Sequence, residues 1–297
     1  MEDRVAIIGG TGKMGQWFAK FFLKKGFKVV ISGRTPEKTA KIAGSLGVEA
    51  AHSNKEAVKN ANLVVVSTPI QTTPKIITEV AHHMLKGSTL FDIASVKRGV
   101  IKPLKEAQKQ GIRTVSVHPL FGPGAKNINN RNIILIPVSD DVKALKEIST
   151  LFTEDGASII IVKDAEIHDR VTAYSLALPH FINILFGCLV SGSNLELSRY
   201  GGTTLALQLM LTHSVFSEDP ILYSAIQMEN THFTVLLKNF IEKAHKMIKI
   251  IENENVEDFT KVFQEAKNIL SKDPMFKDVY EKFYKALEAI DAFDIEN

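Results

Sequence analysis

One cysteine, Cys188, is all that the 297-residue chain holds, so a disulfide within the chain is excluded and no cysteine cluster has metal-site spacing. That usage suits a reducing cytoplasm, with Cys188 expected to be a small apolar filler. Net charge is almost as scarce. A formal +3, with lysines mostly interleaved among acids, is too slight to imply a nucleic-acid partner and leaves an anionic small molecule open as ligand. No charged leader with its own apolar core precedes the first strand pattern, and the expectation is a cytoplasmic protein. Repeats and low-complexity tracts are absent. The longest apolar stretch, 173–190, reaches membrane-spanning length but carries Pro179, His180 and Asn183 near its middle. Such groups are costly in lipid, so the segment is expected to be a buried helix rather than a span.

What is present is enough apolar material, 45% of the residues, for two cores. From residue 1 to about Lys163, short β-branched runs alternate with amphipathic segments, as a doubly wound, mainly parallel sheet requires. Strands are predicted at 29–32, 63–67, 89–92, 113–117, 133–137 and 158–162. Helices are predicted at 36–46, 55–61, 73–84, 100–110 and 142–152. Beyond Lys163 the strand signals stop. Residues 164–297 read as an all-α domain, broken only near 191–193 and at Gly201-Gly202. The wide apolar stripe of a helix predicted at 229–252 needs a partner, and a homodimer through this domain is expected.

The chain is organised around Gly9-Gly10-Thr11-Gly12-Lys13-Met14-Gly15, where the buried strand at 5–8 hands over to a helix. Gly10, Gly12 and Gly15 have the G-x-G-x-x-G spacing of a dinucleotide-binding turn. On that reading Gly10 permits the turn, Gly12 leaves the helix N-terminus open to a pyrophosphate, and Gly15 allows close packing. An acid that would bind the ribose of NAD is missing after the second strand, which continues as Gly33-Arg34-Thr35. A guanidinium in place of a carboxylate favours NADP, with NAD possible.

In such a sheet, ligands lie beyond the carboxyl ends of the strands. Three segments qualify: Ser67-Thr68-Pro69, Asp92-Ile93-Ala94-Ser95-Val96-Lys97, and His118-Pro119-Leu120-Phe121-Gly122-Pro123-Gly124. The last fixes one imidazole at the head of a constrained loop, a proton acceptor near neutral pH. Ser95 could orient it. His82, His83 and His245 are expected on solvated helix faces, and His168 and His180 as packed, hydrogen-bonded residues.

These motifs, with Leu178-Pro179-His180 and Asp219-Pro220-Ile221-Leu222-Tyr223, resemble in order and spacing the prephenate dehydrogenase family over residues 1 to about 225. The chain is similar to the stand-alone form, without a chorismate mutase or regulatory segment. The resemblance implies oxidative decarboxylation of prephenate or arogenate in tyrosine biosynthesis, with hydride transfer to NAD(P). It implies His118 as catalytic base, Ser95 as a bridge between base, hydroxyl and nicotinamide, and His180 and Tyr223 in the substrate pocket. Relatives carry an arginine at the position of Ser214, where it pairs with a substrate carboxylate. His213 is a weaker replacement, and Arg199, Lys97 or Lys126 are other sources of charge. Two alternatives remain open at this point: a related NADP-dependent reductase for another carboxylated or deazaflavin substrate, and a non-catalytic nucleotide-sensing dimer.

Overall fold

Uninterrupted runs of Val and Ile are stable as strands only where both faces are covered, and helices on either side provide that cover here. A computed structural model of the chain describes residues 3–139 and 142–295. Its strands are β1 (Arg4–Ile8), β2 (Lys28–Ser32), β3 (Glu49–Ala50), β4 (Leu63–Val66), β5 (Thr89–Asp92), β6 (Arg113–Pro119), β7 (Asn132–Pro137) and β8 (Ser158–Ile161). Among the described residues they form one eight-stranded sheet in the order β3-β2-β1-β4-β5-β6-β7-β8. All neighbours are parallel except β6 and β7. The expected mainly parallel doubly wound sheet is therefore observed. Strand order reverses between β1 and β4, and the crevice of such a sheet opens there.

The helices between strands are α1 (Lys13–Lys24), α2 (Pro36–Leu46), α3 (Asn54–Val58), α4 (Thr73–Ala81), α5 (Ile101–Lys109) and α6 (Lys143–Thr153). Helix α2 shows why its ends were legible: Pro36 opens it, and Gly47 closes it in the left-handed region at φ 71°. The two-residue strand β3 was not anticipated, being too short to carry an alternation. At the centre, Phe18 of α1 packs its ring 6.3 Å from Phe91 of β5 and 6.4 Å from Phe152 of α6, and all three are buried. This aromatic cluster clamps two helices onto the middle of the sheet.

The chain divides into two compact units. The first runs through Ser175 and includes Ile221–His232; the second comprises Leu176–Pro220 and Phe233–Asn297. The first unit thus extends past Lys163 to include α7 (Ala165–Thr172), whose N-cap Asp164 accepts a bond from the Ile167 amide. A π-helical turn, Ala173–Ala177, follows, and then α8 (Leu178–Ser191), which contains Pro179. The remaining helices are α9 (Leu197–Tyr200), α10 (Thr203–Phe216), α11 (Pro220–Glu229), α12 (Thr231–Glu252), α13 (Val256–Leu270) and α14 (Val279–Ile295).

Within the second unit α8 lies close against α10, because a side chain at Gly187 would run into the ring of Phe216. A polar link seals the contact: Thr212 Oγ1 and Gln208 Nε2 both donate to Asn183 Oδ1, at 2.9 and 3.0 Å.

Three expectations are corrected. Segment 173–190 is not a buried helix: only Ala173, Ala177 and Asn183 of it are buried, and Leu189 is 74% exposed. The helix Ala165–Ser191 is in fact long and apolar enough by composition to cross a membrane. Asn183 within it is nevertheless bonded to protein, donating to the Pro179 carbonyl and accepting from Gln208 and Thr212. Cys188 is exposed, so it is no core filler. The helix predicted from residue 229 starts instead at Thr231, because Asn230 interrupts it: its side-chain oxygen accepts from the His232 amide and its Nδ2 donates to the Asp169 carbonyl. An Asn that caps a helix cannot also be read as its interior.

Removing the central ring tests this account of the core. Phe18→Ala should cost about 3–5 kcal/mol in urea unfolding. A loss below about 1 kcal/mol would mean the cluster does not hold α1 and α6 to the sheet.

Candidate active site

The four glycines of the N-terminal turn have different reasons to be glycine. Gly9 takes the turn itself, at φ +82°, a conformation that L side chains rarely adopt. The sequence reading had assigned that role to Gly10, whose actual constraint is space: a Cβ there would lie 2.5 Å from Cβ of Ile31. A Cβ on Gly15 would collide with the Gly9 carbonyl and come 2.8 Å from Gly10 Cα, so the helix packs on the turn. Gly12 is the exception. It has an extended backbone that any residue adopts, and an added Cβ would meet only Gly9 O, at 3.4 Å. Nothing in the fold requires glycine there. Gly12 is also the N-cap of α1, gives the first-turn amides no side-chain acceptor, and precedes a first turn without acids. An anion is the ligand that such a helix start accommodates.

Around this turn, Thr11 is half-buried and Lys13 exposed, while Ser67 and Thr68 are half-buried and Pro69 exposed at the end of β4. Met14 packs on the core. A side chain at Gly33 would stand 2.7 Å from the methyl of Thr11 and 2.8 Å from the hydroxyl of Thr39. A ribose-binding acid at that position would require the side chains of Thr11 and Thr39 to shift. Arg34 and Thr35 beside it are exposed.

Two strands along, the register pairs Asp92 of β5 with Ser116 of β6. Ser95, half-buried, follows three residues after the first, and His118, 3% exposed, two residues after the second. Below them lies a polar cluster. Asp92 accepts from Lys97 Nζ at 2.7 Å, Ser116 Oγ at 2.6 Å and the Ala94 amide at 2.9 Å. Lys97 is fully buried and also donates to the Val117 carbonyl at 2.7 Å. A lysine so bound is not available as the cation for a substrate carboxylate, which removes it from the expected candidates.

His118 Nδ1 lies 2.9 Å from His168 Nε2, and His168 Nδ1 lies 2.7 Å from Asp169 Oδ1. The Asp169 carboxylate also accepts from the backbone amides of Lys97 and Arg98, both at 2.9 Å. Burial drives His118 well below the ordinary histidine value of 6.5, assisted by the neighbouring His168 and Lys97. Burial also lowers His168, against the opposing pull of Asp169. Both rings are therefore neutral at physiological pH. The sequence reading left His168 as a packing residue and did not single out Asp169. They stand fifty residues from His118, so no local spacing could have revealed them.

Other predicted site residues lie on the helices. His180 on α8 is half-buried, and burial lowers its pKa. His213 on α10 is exposed, and the hydroxyl of Ser214 bonds to the Leu211 carbonyl. Tyr223 on α11 is half-buried. Arg199 is exposed, 3.8 Å from Glu196. His82, His83 and His245 are exposed as expected.

A doubly wound sheet with a glycine-rich turn after its first strand defines a nucleotide-binding protein of the Rossmann type. The more particular assignment comes from comparison. Residues 18–161 match the family "Prephenate dehydrogenase, nucleotide-binding domain", and residues 164–265 match "Prephenate dehydrogenase, dimerization domain". The chain belongs to the prephenate dehydrogenase family. It is 31% identical over 267 residues to the probable arogenate/prephenate dehydrogenase of Methanocaldococcus jannaschii, covering 88% of this chain and 60% of that protein. It is 24% identical over 262 residues to the T-protein of Enterobacter agglomerans, covering 87% and 65%. The chain thus spans less than two thirds of the length of either relative. A solved structure of prephenate dehydrogenase from A. aeolicus, in complex with hydroxyphenyl propionate and NAD+, superposes with a TM-score of 0.75 at 22% identity, covering 92% of this chain and 99% of that one.

The buried histidines make stability depend on pH in a definite direction. Lys97, Asp92 and Asp169 are the charged groups around them, and the folded values of both rings lie below 6.5. The folded state then binds fewer protons than the unfolded chain, and stability falls as pH drops below about 6.5, by up to about 1.4 kcal/mol per pH unit per histidine. The urea midpoint should be lower at about pH 5.5 than at pH 7.5, with a shallower dependence in His118→Phe. A midpoint equal at both pH values would refute the burial of neutral rings.

Proposed function

We propose that the protein is an NADP-preferring dehydrogenase that oxidatively decarboxylates prephenate or its amino analogue arogenate. The observation that carries this reading is a neutral, buried His118 at the carboxyl end of a central strand, in a chain of this family. A bound nicotinamide supplies the acceptor for the hydride that leaves the carbinol carbon of the ring. The chain's own residues do the rest. His118 takes the hydroxyl proton as that hydride departs, and Ser95 orients the hydroxyl toward the imidazole. The bond to the ring carboxylate then breaks, its electron pair enters the ring, carbon dioxide leaves, and the phenol oxygen is reprotonated. Aromatisation drives the step, so alignment is the main demand on the protein.

The residues present fit the dinucleotide. Gly10, Thr11, Gly12, Lys13, Met14 and Gly15 would line the pyrophosphate, and Ser67, Thr68 and Pro69 the crevice beside it. Glycine in place of an acid at position 33, with exposed Arg34 and Thr35 next to it, supports a 2′-phosphate over a bare ribose. On the substrate side the reading uses His180, Tyr223 and His213. Ser214 stands where relatives place an arginine, and this specific departure favours, as second reading, a reductase for another carboxylated or deazaflavin substrate.

A homodimer through the helical unit is part of the proposal. Leu195, Tyr200, Val235, Ile251, Phe263 and Ile269 are all exposed there, more apolar surface than a monomer ordinarily leaves uncovered. Equilibrium sedimentation should give twice the chain mass, and a monomer at micromolar concentration would end this part of the reading.

Activity is tested with NAD or NADP and either prephenate or arogenate, following reduced nicotinamide by absorbance. A signal is expected with NADP and at least one substrate, and His118→Asn should reduce kcat about 10²-fold or more. Silence in all four mixtures rejects the activity. Arg34→Ser should weaken NADP roughly tenfold or more while leaving NAD unchanged; equal affinities before and after would remove the argument for NADP.

A further inference from the structure

We infer that His168 and Asp169 are positioning residues that hold His118 in the one tautomer able to accept a proton from substrate. The inference rests on the reading of His118 as the base. Each proton follows from the one before. The Asp169 carboxylate can only accept, and Oδ1 lies 2.7 Å from His168 Nδ1, so that nitrogen carries the proton. A neutral imidazole then presents a lone pair on Nε2. Because His118 Nδ1 lies 2.9 Å from it, the proton of His118 must sit on Nδ1. The remaining nitrogen, His118 Nε2, is left as the acceptor.

The reverse arrangement is disfavoured by the same geometry. With its proton on Nε2, His118 would face His168 lone pair to lone pair in a site from which water is excluded, and both rings are buried. Asp169 is not free to swing away and allow a different pattern. Its two carboxylate oxygens hold the Lys97 and Arg98 amides, and its backbone carbonyl accepts from Asn230 Nδ2 at 2.7 Å. The amides belong to the segment that follows β5 and carries Ser95. One carboxylate therefore sets the proton on the relay and anchors the backbone leading from the hydroxyl.

As proton transfer proceeds, positive charge on His118 is shared along the pair toward Asp169. No covalent bond changes in the relay, and the proton taken from substrate stays on His118 Nε2 until it is released. In other enzymes, loss of a partner that fixes a catalytic tautomer costs up to about 10⁴-fold in kcat. His168 is not in the substrate's path on this account; it acts only through His118.

The test has two arms. In the unliganded protein near neutral pH, imidazole ¹⁵N spectra should show His118 protonated at Nδ1 and bare at Nε2. A proton on Nε2 overturns the inference, whatever the substrate proves to be. In turnover, His168→Leu should lower kcat about 10²-fold while KM and NADP affinity stay within about twofold. His168→Gln keeps an acceptor toward His118 and should recover to within about tenfold of the parent. Equal kcat in His168→Leu and the parent overturns the inference, as does a Gln variant no better than Leu. Absence of turnover with prephenate and arogenate in the unaltered protein rejects the proposed activity alone, and the spectra still decide the tautomer.

Discussion

Burying two imidazoles, an ammonium and two carboxylates at one end of a sheet is tolerable only if the charged groups among them are paired and hydrogen-bonded. That constraint shapes the first unit. Asp92 binds Lys97, Ser116 and its own following turn, and Lys97 reaches the strand end just before His118. Asp169 holds the backbone amides of Lys97 and Arg98 and the ring of His168. Deleting one partner would leave another charge or dipole stranded in apolar surroundings, so the cluster is fixed as a whole. Strands β5 and β6, the segment leading from Ser95 and helix α7 are tied into it.

The same economy separates fold from function in the glycine turn. Gly9, Gly10 and Gly15 are glycine because backbone geometry and neighbouring atoms leave no choice. Gly12 is glycine without any such internal demand, and this is the position nearest the open start of α1. A residue that the protein's own packing does not explain is best explained by something that the protein binds. The motif's spacing already points to Gly12 as the ligand-facing glycine and Gly15 as the packing one; what it misplaces is the turn, which falls on Gly9 rather than Gly10.

Legibility followed the range of the interactions. The apolar runs of β1, β4 and β5, the proline and glycine at the ends of α2, and the strand-end positions of Ser95 and His118 are local facts and could be read from the sequence. Strand β3 is held by pairing with β2 and by the ion pair of Glu49 with Arg4 of β1, and Asn230 breaks a helical pattern because its partner, Asp169, lies sixty-one residues away. His168 looked like a packing residue for the same reason. The apolar segment around α8 misled in the other direction: hydrophobicity told that the segment seeks cover, and it cannot tell whether that cover comes from the same chain. Its exposed Leu185 and Leu189 fit cover supplied by a second copy.

On the proposed reading, burial exacts a trade at the base. Desolvation guarantees that His118 is neutral and able to accept a proton, yet it also weakens the ring as a base by disfavouring the imidazolium. A weak base suffices only if the proton is never required to move far ahead of the hydride. That condition suits a reaction in which loss of carbon dioxide and aromatisation make the outcome irreversible. The pair behind His118 eases the other side of the trade, since His168 accepts from Nδ1 and Asp169 offsets charge as it develops. Lys97 opposes this from close by, and its charge is balanced by Asp92. The net field at the imidazole thus depends on two side-chain pairs, Asp92 with Lys97 at and after the end of β5 and His168 with Asp169 on α7, and it is their difference that sets how readily the base lets its proton go.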